Sequence, residues 1–203
     1  MHMKQSIVPS QHIGNQTGAK ASVDTKDVVK AVNTFIQAKS RLLDINNWHK
    51  YSGTAATKFT LTDSAGNPVN RSPQKGDYIK IDVPGPGTIA GQGYDWVCIE
   101  QFEEKQDKQS DLDFFAFRVR PAANPTSGSA TAPAHFYTKQ TTSTFIVQRE
   151  GTVVSACEKG RNEVPNTHTD KMVDNMRNGL VAVGATLGLS IPQWKVLMEG
   201  LLK

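Results

Sequence analysis

Only two cysteines, Cys98 and Cys157, occur in the 203 residues. No CxxC pair is present, and two isolated thiols make neither a zinc site nor the disulfide framework of a small secreted domain. The five histidines, His2, His12, His49, His135 and His168, lack the i, i+4 spacing of a zinc-binding helix. No apolar run approaches the roughly 18 residues of a membrane span. Met1 to Gly18 lacks the apolar centre of a secretory leader. Walker, dinucleotide-binding and G-x-S-x-G patterns are missing too. These absences lead to the expectation of a reduced, cytoplasmic protein without metal or cofactor. They leave no motif that names a reaction, so catalysis stays open.

Charge excludes another class. The formal net charge is +4, but lysines and arginines are scattered. The densest stretch, Glu103 to Lys108, mixes both signs and reads as a solvated loop. Nucleic-acid binders cluster their cations, so no nucleic acid is expected. With 37% hydrophobic residues the chain has enough apolar matter for a core. Cys98 and Cys157, each inside an expected strand, read as small buried hydrophobes. Lys159 and Glu158 beside Cys157 leave a nucleophile as the second reading.

The polar segment 1–20 reads as a loose arm, and 21–203 as a single domain. Asp24 or Thr25 can cap a helix over about 25–44, with Asp27 in its first turn. Val29, Val32, Ile36 and Leu43 recur at helical spacing along it, with Val28, Phe35 and Leu42 beside them. Strands follow by alternation: Phe59 and Leu61; Ile79, Ile81 and Val83; Tyr94 to Phe102; Leu112 to Val119; and a hairpin, 142–148 and 152–159, around Glu150-Gly151. His135 to Tyr137 reads as a short edge strand. A long helix is expected from about 167 to 189, its stripe being Val173, Met176, Leu180, Val183 and Leu187. A short last helix carries Trp194, Leu197, Met198 and Leu201. Segregated strands and helices predict an α+β fold. Its curved antiparallel sheet of about six or seven strands packs on a long C-terminal helix, with an N-terminal helix before it.

That order resembles the helix-grip fold of the START and Bet v 1-like superfamily, which includes polyketide cyclase-like proteins. Ala19 to Val23 can supply the first strand. Leu43 to Lys50 is similar to the tryptophan-containing end of the family's helical segment, and Gly76-Asp77 ahead of a strand is similar to members of the group. The last helix, 191–202, and the Pro-rich loop, 121–134, depart from the simple pattern. The resemblance implies a cavity between the sheet and the C-terminal helix.

Four constellations are candidates. Trp48-His49 is either a cavity mouth or a helix end packed on the sheet. Pro84 to Gly93 is either a gate or a plain loop. Arg118, Arg120 and His135 offer polar handles: Arg118, if it faces inward with Glu100 and Asp82, would bind a carboxylate, and otherwise makes surface ion pairs. Arg161-Asn162-Glu163 is either a charged rim or a helix cap. The leading expectation is a binding protein for a small, largely apolar ligand. Its lining would be Trp48, Trp96, Phe115, Phe117 and Phe145, with Arg118 or His135 as the handle. The alternative is a non-catalytic structural or protein-interaction domain, a homodimer included, using the arm and the last helix. A cyclase- or hydrolase-like enzyme using His135 with Asp95 or Glu100 is a third reading.

Overall fold

A computed structural model describes residues 7–52, 57–82, 88–128, 131–167 and 191–203. Strand β1 (Asn15–Asp24) leads into helix α1 (Val28–Leu43), a 3₁₀ turn (Ile45–Asn47) and the short helix α2 (Trp48–Ser52). Six strands follow: β2 (Lys58–Thr62), β3 (Tyr78–Asp82), β4 (Asp95–Asp107), β5 (Leu112–Pro121), β6 (Thr142–Glu150) and β7 (Val153–Glu163). Helix α3 (Ile191–Leu201) closes the chain. All seven strands form one antiparallel sheet in the order β1-β7-β6-β5-β4-β3-β2. The fold is α+β with a curved sheet, as the segregated pattern predicts. The expected helix over 167–189 lies largely outside the described residues, as does Pro84 to Gly87.

The differences from the sequence reading have local causes. Strand β1 begins at Asn15, inside the segment read as an arm, because the β7 edge offers it a full ladder. Ahead of it, Ile7 is fully buried against Phe114, Ala116 and Ile146 on the outer face of the sheet. Asn162 holds the intervening turn: its Oδ1 accepts the His12 and Ile13 N–H groups at 2.8 and 3.1 Å. Helix α1 is capped by Asp27, whose carboxylate accepts the Lys30 N–H at 2.8 Å. Neither Asp24 nor Thr25 is the cap. The charged stretch after Phe102 is strand, not loop: β4 runs on to Asp107 because each residue pairs with apolar β5. A register shift between Ile99 and Gln101 lets both Ile99 and Phe102 face inward.

Helix α1 buries Ala31, Phe35, Ala38 and Leu42, not the Val29–Val32–Ile36–Leu43 stripe. The two alanines let the helix lie close to the sheet, and Val29 and Ile36 remain exposed. Under the helices the inner sheet face is a ring cluster. Trp48 is 5.0 Å from Phe145 and 5.1 Å from Phe59, and its indole N–H donates to the Leu42 carbonyl at 3.0 Å. Trp194 of α3 meets the same rings, 5.3 Å from Phe145. Leu197, Met198 and Leu201 are buried in the same core. Helix α3 sits tightly on α2, since a Cβ on Gly200 would run into the Tyr51 carbonyl.

Candidate functional site

Val32, Ile36 and Leu43, which α1 leaves out of its buried stripe, line with Phe35 a groove of about 590 Å³ between α1 and the β4–β5 end of the sheet. The volume falls in the range of small-molecule sites, about 300–1,000 Å³. Its rim is charged but internally compensated. Lys39 pairs with Glu104 at 2.5 Å and lies 4.8 Å from the centre of the Phe115 ring. Arg71 forks onto Asp77 at 2.6 and 2.9 Å, and Asp113 pairs with Arg149 at 2.6 Å. The groove therefore offers apolar wall and neutral overall charge.

The residues expected to line one cavity divide between the two faces of the sheet. Trp48, Phe115, Phe117 and Phe145 face inward. They pack on one another and on Phe59, Phe102 and Trp194, so rings fill the space between sheet and α3 there. Trp96 faces outward. Its backbone N–H donates to Ala134 and its indole N–H to Gly91, so loops cover it. His135 belongs to the same loop side, where its Nδ1 accepts the Tyr137 N–H at 2.9 Å.

Arg118 also faces outward, and the inward carboxylate-binding role is not what the geometry provides. Its Nε donates to Glu100 at 2.9 Å, and its terminal nitrogen donates to the Ile7 carbonyl at 3.0 Å. Arg120 donates to the other Glu100 oxygen and to the Lys139 carbonyl. Burial raises the Glu100 carboxyl, but the hydrogen bonds and charges of Arg120 and Arg118 outweigh it and hold it below its usual range. Asp82, at the exposed end of β3, takes no part. Glu100 is thus engaged by arginines, and His135 by backbone.

Both cysteines are partly buried, free thiols. Burial pushes each thiol up, and at Cys157 the opposing charges of Lys159 and Lys20 do not reverse this. A raised thiol is a poor nucleophile.

Two carboxyl groups escaped the sequence reading of the interior. Glu158 lies on the inner face of β7, opposite Phe145 and Ala19. It is buried, and that burial together with the charge of Glu163 raises its carboxyl to about 8, against the Ser143 hydrogen bond and Arg161. Glu163 is buried as well, which pushes it up against the Thr17 hydroxyl and Arg161. The alternation Val154, Ala156 could have placed Glu158 inward. Glu163 has the opposite parity, and only an irregularity in the β1–β7 register turns it inward. Glu163 is therefore not an exposed charged rim, and the helix it would cap lies outside the described residues.

No family model matches this chain, and no curated protein matches it. Among solved structures it is similar to a hypothetical protein from Helicobacter pylori, with a TM-score of 0.53 and 12% identity over 100% of this chain and 94% of the other. At that identity the likeness shows the fold alone. Lower similarity is found to Ara h 8.0201, with a TM-score of 0.36 and 8% identity over 93% of this chain and 99% of that one. A major latex-like protein from Panax ginseng gives 0.30 and 9% identity, over 88% and 99%. The fold comparison rests on the first of these. No described helix is long and apolar enough to cross a membrane.

Proposed function

We propose that the chain binds a small, largely apolar molecule, in the manner of helix-grip proteins, in the groove between α1 and the β4–β5 end of the sheet. One observation carries this reading. The helix has two apolar stripes: the core takes Ala31, Phe35, Ala38 and Leu42, while Val32, Ile36 and Leu43 are left on the groove wall. An apolar wall beside self-paired charges favours a neutral guest. A naphthyl-sized guest burying about 200 Å² gains ~5 kcal/mol at about 25 cal/mol per Å², which corresponds to sub-millimolar binding. The interaction-domain reading loses ground because its two surfaces are used internally. The α3 stripe is buried in this chain's own core, and Ile7 of the N-terminal segment is buried on the sheet.

The test is a fluorescence titration with the neutral probe N-phenyl-1-naphthylamine, comparing the wild type with Ile36→Glu. Ile36 is 57% exposed, so the substitution leaves the core intact. Saturable sub-millimolar binding that weakens about tenfold in the variant is expected. No saturable signal, or equal affinity in the two proteins, would overturn the proposal.

A further inference from the structure

The outer face of the sheet carries a second groove, which shares no residue with the one beside α1. It has a volume of about 950 Å³ and runs over β1, β7 and β6. Its floor follows from the registers. Lys20 of β1, Cys157 of β7 and Ile146 of β6 lie in one row across the sheet. Ile146 packs with Ile7, Phe114 and Ala116, which identifies the face as the outer one. Ser22, Ser155 and Gln148 form the neighbouring row on one side. On the other side Lys159 stands opposite Gly18, which is exposed and has no side chain to fill the row. Arg161, from the charged triplet that the sequence singles out, has the parity of Lys159 and lines the same groove.

The charge in this groove is one-sided. Burial pushes the Cys157 thiol up, while Lys159, Lys20 and Arg161 all act on it in the opposite sense, so three cations lie around one sulfur. Among the described residues neither Lys20 nor Arg161 makes an ion pair. Arg161 directs one terminal nitrogen to the Gly160 and Thr17 carbonyls, and Lys20 is exposed. Two acidic residues border the groove. Glu158 faces inward, and burial holds its proton up to about 8, so it brings no charge at neutral pH. Glu150 stands opposite Val153, about 20 Å from Lys159 at ~3.4 Å per strand residue. The cations therefore gather at one end, with no carboxylate there to offset them. Lys20 and Lys159 are diagonal neighbours across β1 and β7, and like charges so placed do not help a sheet to form.

We propose that Lys20, Lys159 and Arg161 bind the phosphate group of a small phosphomonoester whose polar body lies along Ser22, Ser155 and Gln148. A carboxylate brings a single charge. A phosphomonoester brings about 1.5–2 at neutral pH, with three acceptor oxygens, and matches three cations better. The planar Arg161 fork meets two of those oxygens, and the lysines act as point charges. The hydroxyls and amide of the next row suit a hydroxylated body. The two grooves thus differ in ligand class as well as in place, and neither reading rests on the other.

Isothermal titration calorimetry at low ionic strength with ribose 5-phosphate tests this. Ribose supplies the body without the charge, and inorganic phosphate the charge without the body. Ribose 5-phosphate is expected to bind saturably with sub-millimolar affinity, at least tenfold more tightly than ribose and several-fold more tightly than phosphate. The affinity should fall several-fold in ~200 mM salt. Lys20→Glu alters an exposed side chain and leaves the core intact, so the variant is expected to fold while losing the phosphomonoester at least tenfold. Lys58→Glu, exposed on the opposite edge strand, changes the net charge equally and should leave the affinity unaltered. Both variants are expected to keep the wild-type affinity for N-phenyl-1-naphthylamine, which separates this site from the α1 groove. No saturable binding of ribose 5-phosphate to the wild type would overturn the proposal. So would binding no tighter than that of ribose or of phosphate, or equal affinities in Lys20→Glu and Lys58→Glu.

Discussion

Glu100 and Glu158 are the same residue type on opposite faces of one sheet, and their surroundings drive them apart. On the outer face Glu100 sits between two arginines and is held below its usual range. On the inner face Glu158 has a hydroxyl and a second carboxyl for company, and it rises to about 8. The first arrangement is self-sufficient: the carboxylate has its counter-charges, and together they outweigh the desolvation that burial imposes on it. The second is incomplete without a proton or a cation. A polar cluster that already satisfies itself adds modest stability, whereas buried carboxyls without a counter-charge hold their protons.

The comparison can be pressed hardest through the packing that surrounds the inner carboxyls. Trp48→Ala removes a buried ring that touches Phe59, Phe117, Phe145 and Trp194, together with its bond to Leu42. A loss of about 3–5 kcal/mol is expected in urea unfolding. A loss under 1 kcal/mol would mean that the inner face is not a packed core.

A smaller effect, but one with a sign, belongs to Glu158. Its folded carboxyl is raised from an ordinary 4.5 to about 8. Below the lower value both states are protonated. Between the two values the unfolded chain ionises while the folded chain holds its proton, so stability falls as pH rises. Glu158→Gln cannot ionise and escapes that fall. The variant should match the wild type near pH 4 and exceed it at pH 8 by on the order of a few kcal/mol. Unfolding curves at both pH values decide it, and parallel pH profiles would refute the raised carboxyl.

The outer face should respond least. Glu100→Gln leaves Arg118 and Arg120 without their carboxylate, but both are partly exposed and both keep a backbone carbonyl. About 1 kcal/mol of destabilisation is expected, shrinking in high salt. An effect as large as that of Trp48→Ala would reverse the ranking of the two faces.

The legible parts of the fold were those with a short period. Alternation sets Ile79 with Ile81, Phe115 with Phe117 and Phe145 with Val147 on a shared face, and the structure turns all of them inward. The last helix shows its stripe, and Leu197, Met198 and Leu201 are buried as that stripe requires. Illegible were features that depend on a neighbour far along the chain. Glu103 to Asp107 looks like a solvated loop until β5 is laid beside it. A cavity that holds Arg118 with Phe115 and Phe117 conflicts with strand parity, which sets Arg118 on the other face with Phe114 and Ala116. On α1 two stripes compete, and periodicity alone cannot say which one the sheet selects. Small alanines win because they permit close approach, and the larger Val32 and Ile36 are displaced to the groove.

By itself, then, the sequence determined the element order, the segregated α+β class and the alternation of most strands. These follow from side chains repeating at the period of their own backbone. Tertiary structure alone decided which α1 stripe is buried, where Glu163 points and which carboxylates find a partner. Those outcomes depend on registers between strands well over a hundred residues apart, Thr17 with Gly160 and Asn15 with Glu163. One extra residue in such a register turns a side chain from one face to the other. No local pattern records that count.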